Sequence, residues 1–224
     1  MADATRKAAW LLLGAALLCG SAEARKKPGG DTPGAFDYYA LALSWSPAYC
    51  AGNGGKDVNQ CGSGRKLGFV LHGLWPQFEQ GYPQTCSREP LPAALREQYA
   101  RIYPAPKLIG HEWGKHGTCS GLAPERYLAL SARLKDGLAI PAAFQQPAQP
   151  VRVTFAQFQQ AFKAANPRLA PDAVVPFCTG GGRFLRELHA CYDKEGGSRS
   201  CAADEIRRAQ KSCGQGSFLL QSVR

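Results

Sequence analysis

The chain has 224 residues, 45% of them apolar and 20% charged, with a formal net charge of +10 and nine cysteines. Residues 25–224 suffice for one domain with a real core, no run beyond the N-terminus is apolar enough to cross a bilayer, and no Cys-x-x-Cys pair supports a zinc ribbon or thioredoxin-type site. The positive charge suits a polyanion such as RNA, although a membrane surface or acidic polysaccharide would meet it equally, and it is spread along the chain rather than gathered in one tract.

Arg6 and Lys7 precede an apolar run over residues 8–19, and Ala22, Glu23 and Ala24 supply a small-x-small cleavage site. This is the pattern of a secretory signal peptide removed after Ala24. The run is too short for a membrane span, and bulky Leu18 before Cys19 disfavours a lipoprotein signal. Eight cysteines then remain, an even number in an oxidising compartment, which points to four disulfides whose pairing spacing alone does not select.

Residues 25–35, rich in Lys, Pro and Gly, read as a mobile leader. Alternation predicts strands over 38–46 and 67–72, the second ending at His72, with a loop over 52–64 between them. Residues 91–102 read as a helix stopped by Pro104. Pro124 opens another, running to about Leu134 with Tyr127, Leu128, Leu130 and Leu134 as its apolar residues. Residues 140–150 read as a connecting loop. Thr154 and Gln157 form a capping-box pattern, and Phe155, Phe158 and Phe162 share one helical stripe that reads as core rather than a base-stacking platform. Residues 183–192 predict a late strand in which His189 reads as structural rather than catalytic. There is no internal repeat and no domain boundary.

Two segments carry the chemistry. Residues 111–119 read His-Glu-Trp-Gly-Lys-His-Gly-Thr-Cys, residues 69–77 read Phe-Val-Leu-His-Gly-Leu-Trp-Pro-Gln, and together they hold three of the four His of the chain. On a helix, Glu112 and His116 share a face at i,i+4, as do His111 and Lys115, so the segment forms one cluster of proton-transfer groups and positive charge. A zinc-protease helix needs its His four apart; five apart swings the second ring by roughly 140° on an ideal helix, and Lys115 would repel a cation. Trp113, Gly114, Gly117 and Cys119 do not suit an ordinary solvated helix face.

The order His72-Gly-Leu-Trp-Pro76 then His111-Glu-Trp-Gly-Lys-His-Gly-Thr-Cys119 resembles the two active-site segments of the ribonuclease T2 family, secreted metal-independent endoribonucleases, here of a bacterial periplasmic type. The resemblance implies an α+β single domain, an antiparallel sheet flanked by helices and stapled by disulfides. It implies the pairs Cys86 with Cys119 and Cys178 with Cys213, and on that reading Cys50 with Cys61 and Cys191 with Cys201 would close two local loops. It further implies cleavage of single-stranded RNA through a 2′,3′-cyclic phosphate to 3′-phosphate ends, with no cofactor or metal. His72 and His116 would be the acid–base pair, assisted by Glu112 and Lys115, with His111 on the phosphate. Trp75 is either core at the turn after its strand or, as the resemblance favours, a base-stacking residue beside Gln77. Family members carry Asp at the Gln77 position, so a strong purine preference does not transfer. The expected partner is RNA, with DNA only a weak uncleaved ligand and the chain a monomer; the rival reading is a basic binder that keeps the scaffold without catalysis.

Overall fold

The computed structural model describes Met1, residues 31–53 and residues 55–223. The signal-peptide reading, with Cys19 and most of the 25–35 leader, lies outside them. The first strand, β1 (Tyr38–Trp45), is buried on both faces: Tyr39, Leu41, Leu43 and Trp45 enter the main core, while Tyr38 and Ala40 enter a smaller cluster on the other side. It ends one residue before the expected limit, because Ser46 and Pro47 open the helix α1 (Ser46–Gly52), with Pro placed where a missing N–H is harmless. The expected loop over 52–64 contains a short helix, α2 (Val58–Cys61), whose N–H groups at Asn59 and Gln60 are capped by the Asp57 carboxylate.

The second strand, β2 (Phe69–Gln77), starts later and runs five residues further than the 67–72 reading. His72 is therefore mid-strand rather than at a strand end, and Trp75 is a strand residue rather than a turn residue. The ladder to β1 explains the difference. It pairs Leu43 with Leu71 and then Ala42 with Gly73, so His72 is the extra residue of a β-bulge, and pairing resumes as far as Tyr38 with Gln77. As β2 lies at one end of the sheet, Pro76 costs no ladder bond to a further strand.

The 91–102 helix is observed as α3 (Ala93–Tyr99) with a 3-10 turn over Ala100–Ile102. Next come α4 (Pro106–Lys115) and α5 (Pro124–Gly137), the latter burying Tyr127, Leu128, Leu130 and Leu134. The 140–150 connection contains a helical turn, α6 (Ala142–Gln145), because Phe144 is drawn into the core. After β3 (Val151–Val153), α7 (Phe155–Ala165) begins with its capping box formed in both directions, and Phe158 and Phe162 are fully buried. The chain closes with β4 (Val174–Thr179), β5 (Phe184–Tyr192), α8 (Ala203–Ser212) and β6 (Phe218–Leu220).

The sheet runs β2-β1-β5-β6-β3 with β4 also on β5, antiparallel except for one parallel contact of Phe184 with Leu219. This is the expected α+β class. All four implied disulfides are formed: Cys50–Cys61, Cys86–Cys119, Cys178–Cys213 and Cys191–Cys201. Two of them bracket α8, which packs Ala209 and Ile206 against Tyr38, Ala40, Val175 and Phe177 on the second face of the sheet. Among the described residues no helix is long and apolar enough to cross a membrane.

Candidate active site

A cleft of about 560 Å³ lies where β2, α4, β5 and α8 converge. It brings together every residue the sequence singled out for chemistry: His72, Trp75 and Gln77 from β2, and His111, Glu112, Lys115 and His116 from α4 and its end.

Local structure explains this convergence. Gly73 and Ala42 sit side by side across the ladder, in line with His189 on β5, and their small size leaves room for larger groups. A Cβ on Gly73 would lie 2.0 Å from Glu112 Oε2 and 2.5 Å from Trp75 Nε1. Those two atoms are themselves joined, the indole N–H donating to the carboxylate at 2.7 Å. Buried Trp113 anchors α4 by donating to the Glu89 carbonyl at 2.8 Å. A Cβ on Gly117 would meet the Trp113 ring at 2.4 Å, so this glycine lets the chain turn tightly against the indole. The second motif is thus helical only to Lys115; His116 caps the helix and a 3-10 turn, Gly117–Cys119, follows. From outside, the Cys86–Cys119 bridge and a bond from the Thr85 N–H to the Lys115 carbonyl at 2.8 Å pin this end.

Three imidazoles surround the Trp75 ring. His116 stacks on it with centroids 5.1 Å apart and planes at 27°, while His72 at 4.9 Å and His189 at 5.1 Å meet it edge-on. Glu112 and His116 are buried, whereas His111 is exposed at the rim and Lys115 half-buried. His72 Nε2 is 3.8 Å from Glu112 Oε1, and its Nδ1 is 3.2 Å from Glu187 Oε2. Gln77 is buried and donates one amide hydrogen to the Pro76 carbonyl.

Burial governs the electrostatics. It pushes the Glu112 carboxyl up to about 7, against the opposing pull of His72, the Trp75 N–H and Lys115. Burial, reinforced by the charges of Lys115, His72 and His111, holds His116 down at about 3, so this ring is neutral at neutral pH. Its Nδ1 is buried with no hydrogen-bond partner among the described residues. One cleft therefore holds a neutral imidazole, a carboxyl poised near neutrality and exposed positive charge, the equipment for moving protons beside an anionic group. Among the described residues no group of three or more His, Cys, Asp or Glu is arranged to hold a metal ion.

Sequence reasoning missed Tyr82, Glu187, Glu205, Arg186 and Arg208, all of which line the cleft. The available signal was Glu187 and His189 two apart in a strand, hence on one face of a segment that is apolar apart from these two and Arg186. Glu205 and Arg208 gave none, since a polar helix face is ordinary.

Comparison with known proteins gives a consistent result. A model of the ribonuclease T2 family matches residues 36–201. A ribonuclease of Aeromonas hydrophila is 43% identical over 205 residues, covering 85% of this chain and 88% of that protein. A probable ribonuclease of Haemophilus influenzae is 32% identical, covering 74% and 61%. Among solved structures, a ribonuclease-related protein from Calystegia sepium superimposes with a TM-score of 0.65 at 18% identity, covering 84% of this chain and 98% of that one. Ribonuclease MC1 from bitter gourd seeds gives 0.58 at 22% identity, covering 73% and 92%.

Proposed function

Because the chain belongs to the ribonuclease T2 family, and is therefore a ribonuclease, we infer that its cleft cleaves single-stranded RNA by attack of a ribose 2′-oxygen on the adjacent phosphorus. The first products are a 2′,3′-cyclic phosphate and a free 5′-hydroxyl; water then opens the cycle to a 3′-phosphate. The observation that carries this reading is the pair of imidazoles, His72 and His116, packed on one indole with a buried carboxyl and an ammonium beside them. The nucleophile is already held next to phosphorus by the substrate, so the protein need only move protons and steady charge.

His116, kept neutral by burial, takes the 2′-hydroxyl proton, and His72 protonates the departing 5′-oxygen. Lys115 faces the phosphoryl oxygens with positive charge, His111 binds the phosphate beside it when protonated, and Glu112, raised to about 7, bears on the same group. Water's attack on the cycle reverses the two His roles. Trp75 and Gln77 border the base, Trp75 while also holding Glu112 through its N–H. The remaining Gln77 amide hydrogen and its oxygen can donate and accept, which argues against a strict purine preference. The substrate is RNA; DNA, lacking the nucleophile, binds weakly without being cut. Four disulfides and the signal-peptide pattern read in residues 6–24 support secretion or export to the periplasm; the working reading is a monomer with residues 25–224 as its catalytic domain.

The test is RNA carrying a single 2′-deoxy nucleotide on the 5′ side of one otherwise cleavable bond, incubated with purified protein in excess chelator. Cleavage is expected everywhere but there, leaving cyclic and then 3′-phosphate ends. Cutting at the deoxy position, or activity lost to chelator and restored by zinc, overturns the mechanism. Binding without any cutting would favour the non-catalytic rival.

A further inference from the structure

A continuous line of polar groups runs from His72 into the interior. His72 Nδ1 meets Glu187 Oε2 at 3.2 Å. Glu187 Oε1 is 3.4 Å from His189 Nε2, an ion-pair contact, and also accepts from Arg186 Nη2 at 2.6 Å. The other nitrogen of His189 is hydrogen-bonded to Glu205, and Arg208 donates to the second Glu205 oxygen. Glu187 and His189 are each 5% exposed and Glu205 1%. Buried charges of this kind persist only as a mutually compensating set.

We propose that Glu187 is the positioning residue of His72: it holds Nδ1 so that Nε2 faces Glu112 and the cleft, and it is itself fixed by His189, which Glu205 and Arg208 of α8 grip from behind. This rests on the assignment of His72 to the acid–base pair. An imidazole has two nitrogens, and the hydrogen bond made by one sets which proton the other carries. An ionised carboxylate only accepts, so against Glu187 the His72 Nδ1 keeps its hydrogen in both charge states and Nε2 alone gains or loses one. A catalytic imidazole backed by a carboxylate in this way is held in one tautomer and one orientation.

The surroundings keep Glu187 ionised. Burial raises its carboxyl, but the close approach and charge of His189, the hydrogen bond with His72 and the charge of Arg186 outweigh that and hold it well below the ordinary range. Burial likewise opposes charge on His189, yet Glu187 and Glu205 push it up to about 9, so a cation sits between the two carboxylates at neutral pH. The titratable groups facing His72 are Glu112 and the neutral His116 from the α4 segment and Glu187 from β5; those facing His189 are Glu187 and Glu205, with Trp75 and Phe177 as its ring neighbours. The anchor on α8 is firm because Cys201 before that helix and Cys213 after it are bonded to Cys191 on β5 and Cys178 on β4.

Glu187→Gln, in the full oxidised chain, tests this. Arg186 and His189 will claim the amide oxygen, so the amide NH2 will face His72 Nδ1 and reverse its tautomer. Nitrogen-15 spectra of the His72 ring, assigned with His72→Gln, should show hydrogen on Nδ1 in the parent and on Nε2 in the variant. On RNA, kcat should fall about 10- to 100-fold with a much smaller change in KM, and the pH–rate profile should move to lower pH as an anion beside the imidazole is lost. Glu205→Gln, one step further back, should give a smaller shift in the same direction. An unchanged tautomer and pH profile in folded Glu187→Gln overturns the proposal; should that variant not fold, parent-like behaviour of Glu205→Gln does so. Failure of the parent protein to cut RNA would sink the catalytic reading while leaving the tautomer test standing.

Discussion

Gly73 lies in an extended strand without a positive φ, so no backbone constraint accounts for it. Its role is to be absent where Glu112 and Trp75 meet. Gly73→Ala would drive the Glu112 carboxylate off the indole N–H, and with it the registry of His72 beside both. A misplacement near 1 Å can cost about 100-fold in rate, while overpacking typically costs about 1–3 kcal/mol. Cleavage by Gly73→Ala should therefore fall about 100-fold with the fold retained by circular dichroism and the unfolding midpoint only modestly lowered; a variant with near-parent turnover would show that the contact does not position the site. All seven residues chosen from the sequence reach the cleft because their chemistry is concentrated in two short segments of unusual composition. The pairing of Glu187 with His189 on one strand face hinted at a polar spot, but its bearing on the site was not legible, since its contact with His72 joins residues 115 apart in the chain.

Among the elements, strong periodicity was readable and interruption was not. The Phe158 and Phe162 stripe and the 183–192 strand stand close to where the sequence puts them, whereas β2 was cut short at His72 because Gly73 and Pro76 mimic a strand end. In β4, Pro176 conceals an edge strand, and α8 buries little besides Glu205 and Ala209, so it carries almost no apolar stripe. The α4 end depends on a covalent tie instead. Replacing Cys86 and Cys119 together by Ser frees the segment carrying Thr85 from the 3-10 turn, and should lower stability by about 2–5 kcal/mol in denaturant titration. RNA cleavage should drop further than unfolding alone explains, because Lys115 and His116 lose their outer support; full activity in the folded double variant would contradict that coupling.

For the whole molecule, stability depends on pH through buried groups of opposite sign. The raised His189 value, about 9 against 6.5 in an unfolded chain, means that its contribution is complete below about 6.5 and is lost as pH rises through 9, when two carboxylates face a neutral ring. Glu112, raised to about 7 from 4.5, works in the same direction at lower pH. His116, lowered to about 3 from 6.5, does the reverse: its contribution is complete above 6.5 and is lost as pH falls toward 3. The melting temperature should accordingly decline between pH 6.5 and 9.5, and Glu205→Gln should flatten that decline. A parent curve that stays level or rises across that window would mean that His189 is not held as a cation.

The four disulfides also bear on timing. Each closes between cysteines that a newly made chain presents as thiols, and three of them tie segments bearing site residues: the turn after His116, and both ends of the helix carrying Glu205 and Arg208. Where thiols are kept reduced, the chain should hold the side chains of the cleft without these ties to assemble them. Cutting power in such a chain should begin with oxidation rather than with synthesis, so protein held in reductant should leave RNA intact until its disulfides form.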